Sequence, residues 1–202
     1  MAEAGEGRNG PMIAGHFGFA AAVKSKARGV PLWGLMLGAV WLDVVFVPLL
    51  LAGVERLEPL AGTHGGYGQA VIYADYTHSL LGAVALSVLF GGFFALLWGR
   101  GPGAVMAGMS FSHWVLDLPM HRADMPLLPG NAGDLPRLGF GLWRWPVASA
   151  GLELALVALG SGLYWRAARE VAGESGARRA SWLGSAAFAF GVLVLGLNLA
   201  GQ

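Results

Sequence analysis

Apolar residues fill the chain in long blocks, and charges fall between the blocks. Met12–Val23 carries no Asp, Glu, Lys or Arg, and Gly29–Val54 carries only Asp43. Ser79–Gly99 and Gly101–Leu116 carry none, Trp145–Trp165 carries only Glu153, and Ala180–Gln202 carries none. A helix needs about 20 residues to cross the hydrocarbon of a bilayer. The blocks therefore predict helices over about 11–28, 31–54, 76–98, 103–118, 145–167 and 180–200. The first and fourth are short and could stop part-way. The expected fold is all-α: an integral membrane bundle of five to six membrane helices, one or two of them short. It forms one membrane domain over 11–202, after a Gly-rich acidic tail, 1–10, expected to be disordered and lacking the basic start of a signal peptide.

Composition agrees with this pattern. Of 202 residues, 55% are hydrophobic and only 12% charged, about half the charged share of a soluble domain. The net charge of +1 gives no field for nucleic acid. Without Cys, thiol catalysis and thiolate metal sites are excluded. Lys24, Lys26, Arg28, Arg100, Arg166, Arg169, Arg178 and Arg179 fall on one side of the alternating spans. Arg8, Arg56, Arg122, Arg137 and Arg144, with most acids, fall on the other. The positive-inside rule then puts 24–30, 99–103 and 166–179 in the cytoplasm of a bacterial cell, and 55–75 and 119–144 outside.

Ionisable groups inside spans are costly and mark function. Here they are His16, Asp43, His78, His113, Asp117 and Glu153, all in the outer half. One polar cluster open to the outer face explains the shared depth. His113 and Asp117 are i, i+4 and share a helix face. Asp75 and His78 are i, i+3, a carboxylate–His spacing used in bundle metal sites. His121 and Asp124 follow Pro119, which is expected to end or bend the helix before them. Three His with two or three carboxylates suit a divalent metal: zinc first, with manganese or iron as alternatives. The metal set is His16, Asp43, His78, His113 and Asp117, with His121 and Asp124 as possible additions. Glu153 and Asp75 are candidate general bases, and Arg122 and Arg144 could hold an anionic headgroup.

The motifs G-H-F-G, L-D, D-Y-T-H-S-L and M-S-F-S-H-W-V-L-D carry a resemblance over roughly residues 12–120. The chain resembles the bacterial membrane-bound metal-dependent hydrolases of the YdjM-like family. That family shows T-H-x-x-x-G, P-D, T-H-S and S-H-x-x-x-D in this order. Matched positions are His16, Asp43, His78, His113 and Asp117. Gly15 stands where the family has Thr, Leu42 where it has Pro, and Asp75 and Tyr76 where Arg is frequent. The resemblance implies a metal-dependent hydrolase. A site at this depth implies a phosphoester or acyl bond of a lipid or small amphiphile. A transporter or permease using the same cluster for ions or protons is the alternative reading.

Overall fold

The computed structural model describes residues 13–62 and 69–200. The expected tail, 1–10, lies outside them. Among the described residues there are seven helices and one β-hairpin. They are α1 (Ile13–Lys24), α2 (Leu32–Ala39), α3 (Trp41–Leu51), β1 (Arg56–Pro59), β2 (Ala70–Tyr73), α4 (Leu80–Trp98) and α5 (Arg100–Met120). A helical run over Pro146–Ala200 follows and breaks at Gly173, with φ 59° and ψ −165°. That left-handed φ suits glycine and ends one arm, α6 (Pro146–Gly173), before the next, α7 (Arg178–Leu197).

Among the described residues three helices, α4, α6 and α7, are long and apolar enough to cross a membrane. The pair α2 and α3 passes the same test together but bends by 48°. Exposed apolar side chains cover the long helices, with Leu96 and Val147 each 88% exposed. Such faces need lipid or another apolar cover. The remaining core is thin. Leu35, Ala39, Phe90, Phe94, Met106 and Met109 join α2, α4 and α5.

Small residues bring the helices close. α1 lies against α6 where Gly18 and Gly160 meet backbone to backbone. A Cβ at either position would collide with main-chain atoms of the other helix. α4 and α5 form a hairpin linked by Gly99 alone, with Gly91 and Gly103 facing Ala107 and Ala95.

Two expected elements differ. The helix expected over 31–54 breaks at Val40, whose ψ of 16° leaves the helical range. The segment 55–75, expected only as a connection between helices, contains the antiparallel hairpin β1–β2, with Arg56 opposite Tyr73 and Pro59 opposite Ala70. The fold is thus mostly helical rather than all-α. The Arg56 guanidinium lies 4.7 Å over the Tyr73 ring and closes the hairpin's base.

Candidate metal centre

Of the expected ligands, His16, Asp43, His78 and Asp117 sit at or next to helix ends, and His113 lies within α5. The break at Val40 has two consequences. It opens α3 with Asp43 in its first turn, where unpaired amides and the helix dipole favour a carboxylate. It also leaves the Ala39 carbonyl to take His113 Nδ1 at 2.7 Å.

The T-H-S segment divides three tasks among neighbours. Ser79 caps α4, accepting the Gly82 amide at 3.1 Å. His78 points inward. Thr77 Oγ1 lies 2.8 Å from His78 Nδ1 and donates to Glu55 at 3.0 Å. Glu55 is fully buried and also accepts the Tyr76 and Thr77 amides, at 2.9 and 2.8 Å.

α5 carries His113 and Asp117 on one face. Pro119 lies inside its last turn and the helix ends at Met120, before His121 as expected, with the His121 amide still bonded to the Asp117 carbonyl at 2.8 Å. His121 therefore stays on the Asp117 face, one turn further on. Its Nδ1 is 2.9 Å from Asp124 Oδ1, and Asp124 Oδ2 accepts the Ile72 amide of β2 at 3.1 Å. Burial disfavours a His121 cation, yet hydrogen bonds that it donates to Asp117 and Asp124 hold its pKa up to about 9.

These partners fix the imidazoles. The Ala39 carbonyl can only accept, so His113 Nδ1 carries the proton. Thr77 spends its hydroxyl proton on Glu55, so its oxygen accepts from His78 Nδ1. Asp124 takes His121 Nδ1–H. A bound divalent cation would displace any proton from Nε2, and in the neutral rings all three Nε2 atoms then present lone pairs. They converge on carboxylate oxygens. His113 Nε2 is 3.1 Å from Asp117 Oδ2 and 3.5 Å from Asp43 Oδ1. His78 Nε2 is 3.6 Å from both oxygens and 3.2 Å from His113 Nε2. His121 Nε2 is 3.5 Å from Asp117 Oδ2. From the far side, His16 Nε2 meets Asp117 Oδ1 at 3.1 Å, and its ring stacks on His113 with centroids 4.1 Å apart.

A buried knot of electron-pair donors is unfavourable unless a cation neutralises it. The donor set suits a divalent metal. Two overlapping groups, His16–His113–Asp117 and Asp43–His78–His113, can each hold an ion, their ligand atoms lying within 4.8 Å of one another. Tetrahedral bonds of about 2.0–2.1 Å separate ligand atoms by about 3.3–3.4 Å. The contacts of 3.1 to 3.6 Å around His78 and His113 bracket that value. Asp43 Oδ2 and His16 Nδ1 are buried with no hydrogen-bond partner among the described residues.

The other expected residues lie around this cluster. Glu153 is fully buried and accepts the Gly15 amide at 3.1 Å, satisfying a first-turn donor of α1 next to His16. Asp75 is gripped by Arg137 through both oxygens, at 2.6 and 3.1 Å, which ties the segment after α5 to the segment before α4. Arg122 sits half-buried in the turn after His121, and Arg144 is exposed in the turn Leu142–Arg144. The sequence reading missed Glu55, a residue it placed among the outer-loop charges. Only the hairpin brings Glu55 to Thr77, and nothing in local spacing signals it.

Comparison with known protein families, with curated proteins and with solved structures finds no match. The chemistry of the site therefore carries the functional reading.

Proposed function

We propose that the protein is a membrane-embedded metal-dependent hydrolase of the kind its motifs resemble. Asp43, His78, His113 and Asp117 would hold a divalent ion, zinc first, with His121 beside them. His16 would orient Asp117 through Oδ1. The observation that carries the reading is the convergence of three Nε2 lone pairs, each fixed by a partner on Nδ1, upon two carboxylates. Partners of this kind set the tautomer of metal-binding imidazoles and raise their basicity.

When bound, such an ion supplies Lewis acidity and makes water a nucleophile near neutral pH. The chain's own groups do the rest. Asp43 is the accessible member, its side chain 23% exposed where those of His78, His113 and Asp117 are 6% or less. Its Oδ2 is buried without a partner and would accept a hydrogen bond from a water held inside the cluster. Exposed Val44 and Val47 flank it. A substrate reaching Asp43 past these side chains is an amphiphile, with a phosphoester or acyl bond at the boundary of lipid and water. Arg144, on the same rim as Arg122, would hold an anionic headgroup. Glu153 acts by holding α1, and with it His16, against α6.

The transporter reading has less support. Among the described residues, buried polar groups towards the other face reduce to Ser87, Ser110 and Ser161. Ser87 donates to Ser110 at 2.9 Å, so the pair satisfies itself.

The test is turnover on short-chain phospholipids, phosphatidic acid and acyl esters by purified protein in detergent. Hydrolysis should stop with a chelator, return with zinc, and be absent in His113→Ala. No metal-dependent cleavage of any phosphoester or acyl amphiphile would overturn the proposal.

A further inference from the structure

At the end of the helices opposite the His/Asp cluster lies a second feature. α1 ends at Lys24, about 12 Å along the helix axis from His16. Between that end and the Gly173 break lies a cavity of about 410 Å³. Lys24, Arg28 and Arg179 line it, with Tyr164, Val171 and Leu183 as apolar walls. No acid is among the described residues that line it.

The three cations come from separate pieces of chain: the end of α1, the loop after it and the start of α7. Lys24 Nζ donates to the Arg28 and Val30 carbonyls at 2.8 and 2.7 Å, which holds the loop folded and keeps the charge in the wall. Arg28 meets Glu170 only at 3.5 Å, both side chains being more than 60% exposed. A pair so exposed is weak and leaves Arg28 able to exchange partners. A neighbouring groove adds Lys26 and Arg166 to the rim, with Glu170 beside them. Val171 and Leu183 stay exposed, 66% and 45%, beside the cations.

We propose that this cavity binds the headgroup of an anionic phospholipid, with the first part of an acyl chain against Val171 and Leu183. Two observations select a lipid over a free anion. The cavity joins a charged rim to an apolar wall, and it sits where two apolar spans turn back. Basic pockets between membrane helices bind such headgroups, and each Lys or Arg near the surface contributes about a fivefold gain in affinity.

The experiment is native mass spectrometry of the full chain, released from detergent with equimolar phosphatidylglycerol and phosphatidylcholine. The wild type should retain one phosphatidylglycerol in clear excess over phosphatidylcholine. Arg28→Gln/Arg179→Gln should weaken retention about fivefold for each cation removed. Arg28→Lys/Arg179→Lys should keep it, as should Arg100→Gln, which removes an arginine from the same end outside the cavity. Metal content should not change in any of these variants, so this site and the metal centre stand or fall separately. Equal retention of the two lipids, or an unchanged double Gln variant, would overturn the proposal. So would displacement of phosphatidylglycerol by inorganic phosphate at matching concentration, which would make the cavity a free-anion site.

Discussion

At the residue scale, Glu55 separates a metal site from a merely polar core. It makes no contact with the ligand atoms. It reaches them through Thr77 Oγ1 and then His78 Nδ1. If the site holds an ion, this chain fixes the His78 tautomer, and loosening it should weaken binding by about 10–100-fold. Glu55→Gln and Thr77→Val should therefore raise the dissociation constant for zinc by that factor, measured by competition with a chelating dye. Thr77→Ser, which keeps the hydroxyl, should restore it. Unchanged affinity in Thr77→Val would reduce the Glu55–Thr77 pair to a loop anchor. His113 and Asp117 were legible in the sequence because i, i+4 spacing puts them on one helix face. His78 and Asp43 were legible because polar groups in apolar blocks stand out. Glu55 was not, because a charged residue just beyond a span reads as solvated loop. Asp75 drew attention by its spacing to His78, and its carboxylate is committed to Arg137 instead.

At the element scale, two backbone irregularities build the site. The break at Val40 yields both a first-turn Asp43 and a free Ala39 carbonyl. A continuous helix over 31–54 would have used that carbonyl internally. Block patterns of apolar residues cannot show such a break, since both halves remain apolar. The close crossing of α1 and α6 is the second. Gly160→Leu should push α1 away, displace His16 from Asp117, and destabilise the fold by about 1–3 kcal/mol. Thermal unfolding in detergent should show a lowered midpoint together with weakened zinc affinity. Gly162→Leu, where a Cβ meets nothing within 4 Å, is the control and should change neither. Equal behaviour of the two variants would remove the crossing from the account. Pro119 teaches a related lesson. It was expected to end or bend α5 before His121, and α5 does end at Met120, yet the last amide bond to the Asp117 carbonyl keeps His121 aligned with Asp117.

At the scale of the molecule, the sparse charges set out a two-ended protein. One end holds the buried His/Asp cluster beneath the hairpin and the 121–145 loop, whose Pro126 and Leu127 carbonyls accept the first amides of α4 at 3.0 and 3.1 Å. The other end carries Lys24, Arg28, Arg166 and Arg179. The positive-inside rule predicts a cytoplasmic position for this second end. Since the chain has no Cys, single introduced cysteines report sidedness cleanly. Leu135→Cys should react with an impermeant maleimide in intact cells, and Gly29→Cys only after permeabilisation. The reverse pattern would invert the protein and put the site inside. The blocks 76–98, 145–167 and 180–200 match α4, α6 and α7, but the described residues hold three to four candidate spans where five to six were expected. The β-hairpin was not legible, because four-residue strands in a Gly-rich loop have no pattern of their own.

The central claim is that lone pairs of His78, His113 and His121 converge with Asp43 and Asp117 because they hold a metal ion. Elemental analysis of the purified protein, wild type against His113→Ala, tests it most directly. The expected result is a stoichiometric divalent metal, zinc first, in the wild type, and its loss in His113→Ala with the helical content retained. Metal-free wild type that stays folded and active, or equal metal in both proteins, would contradict it.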